Sequence, residues 1–259
     1  MNFTKPLLTA LVLFGSAAQA DFTRVEAGVG VWQSEADGTV DLVHPSGVYA
    51  VDADGTLGFD EEHFGYIWLN VKHPLPLLPN LRLEHTEVDF SGTAPRAFEW
   101  VDSGVSRSYA ARTASSLQVE QTDLTLYYNL LDNTAWATID LGVNFKLMDV
   151  SYALNDVANG YAYAESDDVI LPMLYLRGRV QIPATELGVE ADVKYLRYDD
   201  SLLYDARLKV DYTLDFVPVV QPALELGYRI QKIRLDNDEL RIRTDLDFSG
   251  FYTGVMLRF

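Results

Sequence analysis

The sequence predicts an all-β chain closed into a single antiparallel up-and-down transmembrane barrel of ten strands, with eight or twelve as alternatives. Three observations predict it. Apolar and polar residues alternate at period two over long segments, short proline-bearing links alternate with long ones between those segments, and the chain stops on such a segment, Phe251 to Phe259. A strand that crosses a bilayer shows one face to lipid and the other to the lumen, so period two is the pattern that crossing requires.

In chain order, the first element is a leader. Lys5 is the only charged side chain among the first twenty residues, Leu7 to Phe14 form an apolar stretch, and Ala18-Gln19-Ala20 is a small-residue cleavage site. Residues 1–20 therefore read as a secretory signal peptide and 21–259 as the barrel. The alternation places strands near 22–33, 63–72, 80–90, 116–130, 135–148, 168–181, 186–198, 201–214, 220–234 and 244–259. The clearest is Leu202 to Leu214, where Leu202, Tyr204, Ala206, Leu208, Val210 and Tyr212 oppose Asp205, Arg207, Lys209 and Asp211. Ile139, Leu141, Val143 and Phe145 repeat it against Asp140, Asn144 and Lys146, and Val189, Ala191 and Val193 against Glu190, Asp192 and Lys194. The third strand is irregular, because the apolar face of Leu81 and Leu83 runs into His85 and Glu87; a bulge or an exit from the membrane at His85 explains it. Several strands exceed the roughly 9 to 11 residues needed to cross, and these project beyond the bilayer.

Composition narrows the function classes. Outside the leader no apolar run approaches the roughly 18 to 20 residues of a membrane-spanning helix. Without cysteine there is no disulfide framework, thiolate metal site or cysteine nucleophile. The formal charge is −18, and −19 once Lys5 leaves with the leader, a balance that argues against nucleic acid as partner. Fifteen Tyr, twelve Phe and four Trp suffice for the interfacial aromatic girdles of a barrel.

Connection lengths orient the barrel. Short links fall at 73–80, 131–134, 182–185 and 215–219; long ones fall at 34–62, 91–115 and 149–167, with shorter outer ones at 199–200 and 235–243. Transmembrane barrels carry short turns on the periplasmic side, so both termini are expected there. Closure requires the last strand to pair antiparallel with residues 23–33, since an open edge is not tolerated in hydrocarbon. Phe251, Thr253, Val255, Leu257 and Phe259 are then expected to face lipid, Tyr252, Gly254, Met256 and Arg258 to face inward, and Gly28, Gly30 and Gly254 to make the wall thin.

A two-residue turn at Asp199-Asp200 sets the register of its hairpin. It opposes Lys194 to Asp205, Asp192 to Arg207 and Glu190 to Lys209 inside the lumen, and Tyr195 to Tyr204 outside. Centring the next turn on Val217 opposes Lys209 to Glu225 and Asp205 to Arg229. One reading of this lattice is structural, a lumen filled by paired charges. The other is a narrow ion or solute path lined by both signs.

The segment Tyr66-Ile-Trp-Leu-Asn-Val-Lys-His-Pro-Leu-Pro-Leu-Leu-Pro-Asn-Leu-Arg-Leu83, with the leader, the length and the terminal Phe259, resembles a small, mostly uncharacterised family of proteobacterial outer-membrane β-barrels. The resemblance spans the mature chain. It implies the outer membrane as location, Phe259 as the feature read for assembly, and the barrel-assembly machinery and outer-membrane lipids as partners, with no catalytic residues to carry over. Barrels of similar size include proteases, lipid A-modifying enzymes, adhesins and channels, so fold alone does not choose among functions.

Four histidines are candidates for chemistry, and none sits in a catalytic motif: His44 and His63 in or beside the first long loop, His73 at a turn, and His85 beside Glu84 and Glu87. That loop is acidic, and Asp52-Ala-Asp54-Gly55 is a fragment of a calcium loop that departs from it at positions six and twelve, where Leu57 and His63 stand. It reads as solvated, and neither a metal nor a cofactor is expected. Arg96, Arg107, Arg112 and Arg197 are candidates for lipopolysaccharide phosphates, which guanidinium binds bidentately. The expectation is a monomeric barrel with a charge-filled lumen and a structural or surface-interaction role; the alternatives are a narrow channel and an enzyme at the outer rim.

Overall fold

A computed structural model describes residues 24–44, 47–75, 77–102, 105–134, 136–214, 220–237 and 242–259. The leader expected at 1–20 lies outside the described residues. The described residues form thirteen strands: β1 (Arg24–His44), β2 (Gly47–Asp52), β3 (Glu62–Lys72), β4 (Asn80–Thr93), β5 (Phe98–Asp102), β6 (Val105–Tyr109), β7 (Ala114–Thr134), β8 (Ala137–Asp156), β9 (Tyr161–Gln181), β10 (Leu187–Tyr198), β11 (Ser201–Thr213), β12 (Gln221–Asn237) and β13 (Ile242–Arg258). Ten of them close a barrel in the order β1, β3, β4, β7, β8, β9, β10, β11, β12, β13, each antiparallel to its neighbour, with β13 returning to β1. All ten expected strands are found, most of them longer than predicted at the end away from the termini.

The seam closes as expected. Glu26 stands opposite Arg258, Val29 opposite Val255, and Phe259 N donates to Val25 O at 2.9 Å. Phe251, Val255, Leu257 and Phe259 face out, and Tyr252, Met256 and Arg258 are buried. The wall at Gly28, Gly30 and Gly254 is not thin, however. A Cβ at Gly28 would lie 2.4 Å from Trp68 Nε1, and one at Gly30 2.4 Å from the Tyr66 hydroxyl, so the glycines make room for two rings lying across the seam from inside.

The third strand carries no bulge, since β4 and β7 keep one register from Asn80↔Tyr127 to Thr93↔Ala114. The other expected explanation fits the strand: its outer face ceases to be apolar at His85, where both faces exchange character at one level. From the end that holds the termini, the inner face of β4 reads Arg82, Glu84, Thr86 and then Val88, Phe90, while the outer face reads Leu81, Leu83 and then His85, Glu87, Asp89. The same exchange occurs on β7, inside from Asp123 and Gln121 to Val119, outside from Leu124 to Thr122 and Glu120, and on β8, inside from Lys146 to Met148, outside from Leu147 to Asp149.

The barrel thus has two halves. Near the termini the exterior is an apolar belt that includes exposed Leu141, Val143, Leu174, Leu208, Leu226 and Val255, and the interior is charged. In the far half the interior is an apolar core of Trp32, Phe59, Phe64, Val88, Phe90, Met148, Leu154 and Phe248, with Phe90 at the centre of contacts to Phe59, Phe64 and Phe248. Strand β2 extends the wall beside β1, and the β5–β6 hairpin lays Trp100 on Tyr152 and Tyr163. Aromatics therefore do not serve girdles alone: Trp32, Trp68 and Trp100 are buried, and only Trp136 of the four is exposed.

Candidate functional site

All eight expected lattice residues, Glu190, Asp192, Lys194, Asp205, Arg207, Lys209, Glu225 and Arg229, are buried inside the barrel. The β10–β11 register is the predicted one, from Tyr198↔Ser201 through Lys194↔Asp205 to Glu190↔Lys209, with Asp199 in a left-handed conformation at φ 53°. The β11–β12 register differs by two residues: Asp205 stands opposite Gln231, Arg207 opposite Arg229 and Asp211 opposite Glu225. The midpoint falls at position 218 and not at Val217, and the turn itself lies outside the described residues. A two-residue shift keeps every side chain on its face. The expected ion pairs survive as diagonals, Arg229–Asp205 at 2.7 Å and Lys209–Glu225 at 3.5 Å.

Contacts across the lumen were not foreseen from the hairpins. Glu84 on β4 meets Arg207 on β11, Arg229 on β12, Lys194 on β10 and Arg82 on its own strand. Lys194 lies 3.8 Å from its predicted partner Asp205 but 2.9 Å from Asp123 on β7, three strands away around the barrel. Lys146 bridges Asp123 and Asp205 at 2.9 and 3.2 Å. Nearer the termini, Arg177 binds Asp140 and Glu190, and Arg258 binds Glu26 and Asp211. Among the described residues the lumen buries nine carboxylates and nine cations, so the chain's whole charge of −18 resides elsewhere. The void between Tyr66, Trp68, Arg82, Arg207 and Glu225 is about 10 Å³, room for about one water.

A larger space opens in the wall. β3 and β4 pair from Val71↔Leu81 only as far as Tyr66↔Thr86, then diverge until the single bridge Phe59↔Gly92. Between those points lies a crevice of about 420 Å³ lined by His63, Phe64, Gly65, Tyr66, Ile67, His85, Glu87 and Asp89. It faces outward at the level where the wall exchanges character. The two histidines, distant in sequence, thus line one crevice; His85 Nδ1 lies 3.0 Å from Thr122 Oγ1. His73 instead ties the β3–β4 turn, its Nε2 2.9 Å from Pro79 O.

The remaining candidates are scattered. Arg96 reaches Thr56 Oγ1, Arg107 stacks on Tyr161 at 5.3 Å, and Arg112 sits exposed at φ 69°, all on the excursion between β4 and β7. Arg197 is exposed at the end of β10 and faces out. Asp52 accepts from Gly55 N within its own turn, which closes by Leu57 N to Asp52 O at 3.0 Å. A residue the sequence did not single out is Asp156 at the tip of β8. Its carboxylate accepts from Ala110 N, Ala158 N and Asn159 N at 2.8–3.1 Å, tying the β5–β6 hairpin to the β8–β9 turn. These donors, Ala110 N foremost, hold its pKa below the ordinary value.

No family model matches the chain, and no curated sequence matches it either. Solved structures do. The outer membrane protease OmpT from Escherichia coli superposes with a TM-score of 0.51 at 11% identity, over 94% of this chain and 99% of that one. A Pseudomonas aeruginosa FadL homologue (TM-score 0.29, 9% identity, 92% and 90% of the chains) and the Pseudomonas putida toluene transporter TodX (0.28, 10%, 93% and 90%) align loosely and carry no argument. At this identity the likeness to OmpT is one of fold: the chain is a closed antiparallel β-barrel of ten strands, of the kind known from outer-membrane proteins.

Proposed function

We propose that the protein is an integral barrel of the bacterial outer membrane, with both termini periplasmic, a sealed lumen, and a structural or surface-interaction role exercised at its outer end. The observation that carries this is the pairing of an apolar exterior with a neutral, space-filling interior in the same half of the barrel. An exposed apolar surface of this extent calls for lipid or another partner, and closure of the wall at β1 and β13 leaves no edge to be satisfied in hydrocarbon. Short turns lie at the end holding Val25 and Phe259, which supports the periplasmic orientation.

Within this reading Phe259, outward at the end of the closing strand, is the feature recognised by the assembly machinery. Arg197, facing out beyond the apolar belt, meets lipopolysaccharide phosphates; Arg96, Arg107 and Arg112 belong to the exposed excursion further out. The unit is a monomer. A channel would need a continuous path, and the ion pairs that span the lumen, Glu84–Arg207, Asp123–Lys194 and Lys146–Asp205, argue against one. Purified protein in planar bilayers is expected to be electrically silent. Steady unitary currents that change on Arg207→Glu would overturn the sealed-lumen reading.

A further inference from the structure

Among the described residues, the crevice between β3 and β4 presents two strand edges with no strand between them. From Glu62 to Gly65, β3 has β1 as neighbour on one side and nothing in register on the other. From Glu87 to Ser91, β4 has β7 on one side and likewise no partner on the β3 side. An unpaired edge is a template for another strand, because its backbone donors and acceptors point into the gap.

The crevice is lined by two carboxylates and two histidines, His63 and His85, and by no Lys or Arg. Glu87 and Asp89 stand on its β4 wall, and no Lys or Arg occurs between Val25 and Val71, which includes its β3 wall. Glu87 also begins a row. It lies opposite Glu120 on β7, Glu120 opposite Asp149 on β8, and Asp149 opposite Asp168 on β9, all four exposed on the outer face. Directly opposed like charges are unfavourable in a sheet. Four in succession make a negative track that leads away from the crevice at the upper boundary of the apolar belt. Ile67 supplies an apolar contact at the base of the crevice.

We infer that this crevice binds an extended peptide segment rich in Lys or Arg, which adds as a strand to the open edges of β3 and β4 and sets its basic side chains against Glu87 and Asp89. Main-chain pairing supplies affinity and alternate side chains supply selectivity, as in other strand-addition complexes. The surplus negative charge of the surface steers such a segment toward the barrel. The inference rests on the proposed location only in placing the crevice outside the cell.

Gly65 offers the reporter. A Cβ there would meet nothing within 4 Å, and the chain has no cysteine, so Gly65→Cys gives a single thiol in the crevice without strain. The labelled protein, refolded in detergent, is titrated with an alternating Lys-Val hexapeptide. A saturable change is expected. It should weaken about tenfold or more in Glu87→Gln/Asp89→Asn, the loss of charge-assisted hydrogen bonds, and by a similar factor for a backbone N-methylated peptide that cannot pair. Absence of a saturable response overturns the inference. So does equal binding of the N-methylated peptide, or equally tight competition by spermine, either of which reduces the site to charge alone. Labelling of Gly65→Cys by a membrane-impermeant maleimide in intact cells tests the location separately. A protected thiol there, beside peptide binding in detergent, would refute the location and leave the site standing.

Discussion

The two halves of the barrel solve the same packing problem with opposite chemistry. In the half near the termini the wall is apolar outside, and the lumen is packed with Glu84, Asp123, Lys146, Lys194, Arg207 and their partners. In the far half the wall is polar outside, and Trp32, Phe64, Phe90, Leu154 and Phe248 pack inside as in a soluble protein. The strands run through both without a break. What changes is which face of the alternation is apolar, and it changes at one level on β4, β7 and β8. The interior therefore answers to what the exterior meets: a wall that must be apolar outside has only its inner face left for charge, and burying that charge requires neutrality and close pairing.

The halves should fail differently when cut. The largest effect is expected at Glu84, whose loss leaves Arg207, Arg229 and Lys194 short of their shared anion. Breaking a buried charge network costs about 3–5 kcal/mol, so Glu84→Ala should lower the urea midpoint or abolish folding. Glu84→Gln, nearly equal in volume, should not rescue it. In the far half Leu154→Ala should cost about 2–5 kcal/mol through the cavity it leaves, whereas Leu154→Met, which conserves volume, should cost less than about 1.5 kcal/mol. A Glu84→Gln variant as stable as the natural protein would break the comparison, because the lumen would then be sensitive to volume and not to charge.

The first half was legible in the sequence and the second was not. Period two fixes which side of a strand each residue takes, and a two-residue turn fixes one hairpin's register, so Glu190, Asp192, Lys194, Asp205, Arg207 and Lys209 could be placed with their neighbours in advance. Partners across the lumen follow from barrel curvature, which no hairpin encodes; Glu84 and Asp123 were invisible as hubs for that reason. The register of β11 with β12 slipped because a longer turn leaves its midpoint undetermined, although the error kept every face. The exchange of faces was in plain view at Leu83, His85 and Glu87. It reads as a defect in one strand until β7 and β8, aligned beside it, change at the same level. The crevice needs the three-dimensional divergence of β3 from β4, for which the residues at 62–65 and 87–91 carry no pattern.

A smaller effect tests how the far half is tied together. Asp156 joins Ala110, after β6, to the β8–β9 turn. Its carboxyl pKa is lowered by these donors, so its stabilisation is complete above the ordinary carboxylate pKa and is lost as pH falls through the lowered value. Asp156→Asn should speed tryptic cleavage at Arg107 and Arg112 at neutral pH while leaving the barrel's urea midpoint nearly unchanged. Under acid, pepsin should attack the same hairpin, and the difference between natural and variant chains should shrink as pH drops below about 4. An undiminished difference at the lowest pH would show that the charge of Asp156 is not what holds the hairpin.

The smallest effect has the opposite sign and compares two acids three residues apart on β7. Asp123 points inward between Lys146 and Lys194. Glu120 points outward between Glu87 and Asp149, with a like charge directly opposite on each side. Neutralising the first removes an anion from between two buried cations; neutralising the second relieves repulsion worth about 0.2–1 kcal/mol per opposed pair. Glu120→Gln should therefore raise the urea midpoint at low salt, while Asp123→Asn lowers it. Added salt separates the two further, since the Debye length falls to about 3 Å at 1 M and screens the exposed row far more than the buried lattice. The gain from Glu120→Gln should vanish in high salt and the loss from Asp123→Asn should persist. If Glu120→Gln destabilised the barrel at low salt, the carboxylate row would be held by interactions other than those of a solvated surface, and the assignment of Glu87 to a site that recruits basic segments would lose its electrostatic ground.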